Sequence, residues 1–172
     1  MLTPEQETWL AHLSDTDTVQ IHPADPQANE KFEKVKQHIQ SILGGNIKIV
    51  HQGATSLGIS GQGEIDIYIP TGAENFDSMV GSMENIFGKP RSLYPMQRAR
   101  FVTSVEGTKA EVFVINENTK GWVDGCKFYQ YLRENPETLE AYRKLKEKSA
   151  GLSTQQYYRR KVEFINDVLA VA

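Results

Sequence analysis

Apolar residues recur along this chain with two periods. Between residues 28 and 43, Ala28, Phe32, Val35, Ile39 and Ile42 follow one another at alternating steps of four and three. That spacing gathers side chains on one face of a helix, and Gly44-Gly45 predicts its end. "NIKIVHQG" then alternates Ile47 and Ile49 with polar neighbours and predicts a strand entering a glycine-rich loop. "EIDIYIP" places Ile65, Ile67 and Ile69 on one face of a second strand and Glu64, Asp66 and Tyr68 on the other, with Pro70 closing it. The helical period returns over 74–87 with Phe76, Met79, Val80, Met83 and Ile86, and Gly88 follows as a stop.

From Arg98, "RARFVTSVEGTKAEVFVIN" contains two β-rich runs around Glu106-Gly107, the pattern of a two-residue hairpin. Beyond Gly121-Trp122 the period is helical to the end. Pro136 suits the first turn of a helix. Ser153 with Gln156 reads as a capping box opening a last helix that turns Phe164, Ile165, Val168 and Leu169 inward. Trp9, Trp122 and Tyr157-Tyr158 are expected to pack. The order of elements predicts an α+β fold, a short mixed sheet flanked by helices with a helical C-terminal layer.

Composition narrows the class. A chain of 172 residues fits one domain, residues 1–172. Its 39% hydrophobic and 24% charged residues argue against disorder. No apolar run approaches the roughly 18 residues that span a bilayer, and the start lacks the pattern of a secretory leader; a cytoplasmic protein with no membrane partner is expected. The single cysteine, Cys126, forms no internal disulfide and belongs to no zinc-spaced cluster, so it reads as a small packing residue.

The net charge of −3 disfavours nucleic acid as a partner. Charge is nevertheless unevenly placed. Residues 1–30 hold six acids and no Lys or Arg, whereas residues 127–161 hold nine bases against four acids.

The chemistry lies in Glu64 and Asp66. Two residues apart on a strand, they share a face with Cα atoms roughly 7 Å apart. Such oxygens suit Mg²⁺ or Mn²⁺. Glu111, in the other acidic strand, "AEVFV", would complete a three-carboxylate site for phosphoryl or nucleotidyl transfer. On spacing alone, the plainer reading of these acids as solvent-facing strand positions is the favoured one. The loop before them adds Gly53, Gly58, Gly61 and Gly63, which let backbone approach a phosphate, and the hydroxyls of Thr55 and Ser56. The glycine order matches neither a P-loop nor a dinucleotide fingerprint. His51 is a candidate for phosphate contact or for a structural hydrogen bond. Arg98 and Arg100, two apart in a strand, can line the same cleft.

"HQGATS" followed by "EIDIYI" resembles the signature of the nucleotidyltransferase superfamily, and within it the chain resembles the GrpB family. The family's His-Ile-Gly-Ser-Thr stretch corresponds to His51-Gln52-Gly53-Ala54-Thr55. Its Phe-Arg-Asp-Tyr-Leu-Arg stretch corresponds to Phe128-Tyr129-Gln130-Tyr131-Leu132-Arg133, followed by Pro136, Tyr142, Leu145-Lys146 and Lys161. The resemblance spans about residues 20 to 170.

It implies a nucleotidyltransferase-like fold in which Glu64, Asp66 and Glu111 are the catalytic metal ligands for Mg²⁺ or Mn²⁺. His51, Gly53, Thr55, Ser56, Arg100, Arg133, Lys146 and Lys161 would bind nucleotide and phosphate. Arg133, Lys146 and Lys161 either face the acidic cleft or pair with acids. The implied activity is metal-dependent transfer of a nucleoside monophosphate from a nucleoside triphosphate to an unknown small-molecule or protein acceptor. The alternative is a catalytically inactive module binding a nucleotide or phosphometabolite. Two departures favour that alternative. Ala54 replaces the family serine, and Tyr68 stands where many members have an acid.

Overall fold

The periodicities fold as follows in a computed structural model describing residues 1–172. In chain order the elements are α1 (Pro4–Ala11), α2 (Ala28–Leu43), β1 (Val50–Gln52), the single turn α3 (Gly53–Ser56), β2 (Ile65–Thr71), a 3₁₀ turn (Ala73–Asn75), α4 (Phe76–Phe87), β3 (Ser92–Tyr94), β4 (Arg98–Val105), β5 (Thr108–Asn116), α5 (Lys120–Glu134), α6 (Pro136–Glu147) and α7 (Thr154–Leu169). The α+β class expected from the sequence is the one observed. No helix is long and apolar enough to cross a membrane.

The chain divides into two units. The sheet unit comprises Ala24–Gly58 and Gly63–Val123. Its five strands lie in the order β1-β2-β5-β4-β3. β2 and β5 are parallel neighbours at its centre, and the other pairs are antiparallel. Parallel strands cannot be joined by a tight turn, and the chain between β2 and β5 includes α4, β3 and β4. β4 and β5 form the predicted hairpin. Glu106 (φ 49°) and Gly107 (φ 76°) both take the positive φ that a type I′ turn requires.

Alternation in the strands decides the core. Ile65, Ile67 and Ile69 of β2, Ala110, Val112 and Val114 of β5, and Ala99 and Phe101 of β4 pack against Ala28, Phe32, Val35 and Ile39 of α2 and Phe76, Val80 and Met83 of α4. Burying one large aliphatic side chain contributes about 1.5–3 kcal/mol, so this cluster is the unit's main source of stability. α2 occupies the predicted range and stops at Gly44 (φ 99°). Ile42 departs from the predicted face and is 54% exposed; Leu43, one position on, packs against the cluster instead. Ile47 and Ile49 pack against it from outside a strand, because β1 begins only at Val50. β2 continues through Pro70 to Thr71. β1 pairs only with residues 66–68, leaving Pro70 on an edge where a missing N–H costs little. Lys31, nearly buried, donates to Asp25 at 2.6 Å and to Thr108 Oγ1 at 2.8 Å, tying the start of α2 to the hairpin.

The helical unit comprises Met1–Pro23, Ile59–Gln62 and Asp124–Ala172. Its core includes Leu10, Val19, Phe128, Leu132, Tyr142, Tyr157 and Val168. Phe164 stacks on Tyr142 with ring centroids 5.2 Å apart and meets Phe128 edge-on. The Ser153–Gln156 capping box opens α7 as predicted, and Pro136 occupies the first turn of α6. α1 adds a helix that the apolar periodicity does not announce. Thr3 and Gln6 form a second capping box around Pro4, a signal present in "TPEQ". Trp9, expected to pack, is 41% exposed and meets Tyr158 edge-on.

Candidate functional site

The strand pairing defines a second face of the sheet, opposite α2 and α4. β2 and β5 run in register with Asp66 directly across from Glu111 and Tyr68 across from Phe113. β4 adds Arg100, across from Phe113, and Val102, across from Glu111. Because Ile65, Ile67, Val112 and Phe101 point to the core, the residues between them project to this other face. Two of the three acids predicted from the sequence are thus adjacent on neighbouring strands, and Glu64 lies immediately before β2.

Their partners set the chemistry. Lys109, two residues before Glu111 on β5, places its Nζ 2.7 Å from Glu64 Oε2 and 2.7 Å from Glu111 Oε1. Arg100 Nη1 approaches the same Glu111 oxygen at 3.2 Å. Burial disfavours the Lys109 ammonium, but hydrogen bonds to Glu111 and Glu64 and their negative charges outweigh it and raise its pKa above the ordinary lysine value. Tyr68 is stacked on Phe113 with centroids 4.6 Å apart and lies against Trp122.

A resident divalent ion needs several oxygens turned to one point. No group of three or more Asp, Glu, His or Cys side chains is arranged to hold one. Glu64 and Glu111 instead converge on an ammonium. The donor types of the predicted triad suit Mg²⁺, but their arrangement does not fit a centre of three carboxylates.

Asp66 is held at the loop. An added Cβ on Gly53 would fall on its Oδ2 and lie 2.9 Å from its Cγ and 3.1 Å from its Cβ. With φ of +78°, Gly53 therefore satisfies two demands at once, a left-handed backbone and close approach to a carboxylate.

The hydroxyls predicted to meet phosphate serve the loop itself. Thr55 Oγ1 donates to the Glu64 carbonyl at 3.3 Å and lies 3.0 Å from His51 Nε2. Ser56 Oγ donates to the Gly53 carbonyl at 2.9 Å. His51 pairs with Ile67 across β1 and β2 and stacks on Phe32 of α2, at 4.6 Å and 9°, which places it on the core side of the sheet, away from the carboxylates.

Of the predicted cations, Arg100 is with Glu111. Arg133, Lys146 and Lys161 belong to the helical unit. There Lys146, 4% exposed, donates to Tyr157 Oη at 3.1 Å and lies over the Tyr142 ring at 4.9 Å. Lys161 lies over Tyr158 and Arg133 over Tyr129.

Sequence reasoning missed two residues. Lys109 was detectable, since it shares a strand face with Glu111 at a separation of two. Arg91 was not, because β3 is too short to show a period. With Arg100, Val102, Lys109 and Glu111, Arg91 lines a recess of about 340 Å³ over β4 and β5.

Fold and site together describe an α+β fold carrying acids and bases interleaved on the face of a mixed sheet opposite α2 and α4. A family model described as GrpB protein matches residues 18–170, and the chain belongs to the GrpB family. The crystal structure of the conserved protein GrpB from Enterococcus faecalis superposes with a TM-score of 0.64 at 23% identity, covering 87% of this chain and 94% of that one. At that identity the likeness concerns the fold. No curated protein gives a sequence match.

Proposed function

We propose that the sheet unit binds a phosphorylated small molecule, foremost a nucleotide, on the sheet face that carries Glu111 and Lys109, and that it does so without a resident divalent metal. The observation that carries this reading is Lys109, whose ammonium lies 2.7 Å from both Glu64 and Glu111. In the nucleotidyltransferase superfamily that the sequence resembles, metal ions would neutralise such carboxylates. Here a fixed cation of the chain supports that role, at no cost in metal binding and with no open coordination position for an attacking oxygen. Tyr68, packed on Phe113, stands where many family members offer a further acid.

A second reading is nucleotidyl transfer to a small-molecule or protein acceptor. Asp66 facing Glu111 in register, with the glycine loop against Asp66, favours it. It requires Lys109 to leave both glutamates.

Calorimetry with ATP separates the two. Binding that persists in EDTA and is unchanged by Mg²⁺ is the expected result for the module. Binding that requires Mg²⁺ and vanishes in Asp66→Asn, with label from α-labelled ATP passing to an acceptor in cell extract, would support transfer and overturn the first reading.

A further inference from the structure

The recess over β4 and β5 is lined by Arg91, Arg100, Val102, Lys109 and Glu111. Three cations thus share the lining with one carboxylate, and Lys109 among them is also paired with Glu64 just outside it, which leaves the two arginines as the cations available to a ligand. We propose that this recess is a diphosphate subsite, in which the phosphate tail of the ligand rests on strand guanidinium groups rather than on the glycine loop. The inference rests on the reading of the face that carries Glu111 and Lys109 as a phosphometabolite site and assigns the part of the ligand that each region receives.

Four observations support it. First, Arg91 has no carboxylate partner, and its exposed side chain joins the recess from the segment entering β3. Its backbone N–H donates to the Arg100 carbonyl at 2.7 Å, which ties the main chain of the two arginines together at the recess they both line. Second, Arg100 is under-coordinated. It makes one contact with Glu111, at 3.2 Å, longer than the 2.7–2.9 Å usual for a charge-assisted bond, and its Nε is buried with no hydrogen-bond partner. A guanidinium presents five donors in a planar fork that matches phosphate oxygens two at a time, so an entering phosphate would let Arg100 turn and use donors now idle.

Third, the loop hydroxyls that would compete for phosphate are already donating, Thr55 to the Glu64 carbonyl and Ser56 to the Gly53 carbonyl. Fourth, size and lining select the class of ligand. About 340 Å³ is at the small end of ligand pockets. Val102 is the one apolar side chain in the lining, which suits an anionic headgroup and offers a nucleobase little to stack on.

The test titrates inorganic pyrophosphate, ADP and ATP into the full chain in EDTA, for wild type, Arg91→Gln and Arg100→Gln. Arg91 is exposed, and Arg91→Gln is expected to keep the wild-type unfolding temperature, so a loss of binding in it is not a loss of fold. Pyrophosphate should bind wild type, weaken about tenfold or more in each variant, and compete with ATP. Absence of pyrophosphate binding, or equal affinity in all three proteins, overturns the subsite.

The two readings fail separately. ATP bound equally tightly by all three proteins would remove the subsite and leave the nucleotide site. Arginine-dependent pyrophosphate binding that ADP and ATP do not improve on would leave the subsite and remove the nucleotide.

Discussion

Lys109 and Glu111 stand two residues apart on one face of β5, and the lysine ammonium lies 2.7 Å from the glutamate's Oε1. Glu64 shares that ammonium from the start of the neighbouring strand. Glu111 is nearly buried, and its carboxylate meets this ammonium and the Arg100 guanidinium in place of solvent.

Removing the ammonium should therefore cost stability with a defined pH dependence. A lysine pKa raised by folding contributes stability that is complete below the unfolded value, about 10.4, and lost as pH rises through the higher folded value. Lys109→Met should unfold in urea with a deficit of about 1 kcal/mol at pH 7, kept small because the side chain is about half exposed. The gap between wild type and variant should close as pH climbs above about 10.4. An equal gap at pH 7 and pH 11.5 would contradict this.

Gly53→Ala attacks the loop. The new methyl meets the Asp66 side chain as far back as its Cβ, at 3.1 Å, so turning the carboxylate away relieves the shortest contacts and still leaves a tight one. The φ of +78° adds backbone strain for any other residue. A loss of about 1–3 kcal/mol is expected in equilibrium unfolding, with ATP binding reduced in step. Wild-type stability in Gly53→Ala would refute the close approach.

The clip between Lys31 and Asp25 is expected to govern acid sensitivity. The Lys31 hydrogen bond and the Gln27 backbone N–H hold the Asp25 carboxyl below its ordinary pKa. A lowered acid contributes stability that is present above the unfolded value, about 3.9, and lost as pH falls through the lower folded value. Asp25→Asn should be destabilised by about 1–2 kcal/mol at pH 7, and its deficit should shrink below pH ~3.9. A deficit unchanged at pH 2.5 would assign the effect to something other than this charge.

Much of the fold was legible where local signals coincide with tertiary demands. The Ser153–Gln156 cap, the Glu106-Gly107 turn and the alternation in β2 and β5 each state their own geometry. The partnership of Asp66 with Glu111 could be proposed because both interrupt apolar strands. What the sequence could not carry was pairing. The face taken by His51 depends on the β1–β2 register, which three residues of strand do not encode. The destination of Thr55 and Ser56 depends on how the loop folds back on itself. Lys109 is hidden for a different reason: a lysine on a strand reads as solvated surface until the two carboxylates around it are placed.

The most direct test of the account is manganese titration of the chain followed by electron paramagnetic resonance, without nucleotide, in wild type, Lys109→Met and Asp66→Asn. With Lys109 holding Glu64 and Glu111, wild type should leave the free-ion signal undiminished at micromolar Mn²⁺, and Lys109→Met should gain a stoichiometric site. A tight site already present in wild type, and abolished in Asp66→Asn, would contradict the account and restore the three carboxylates as a metal centre.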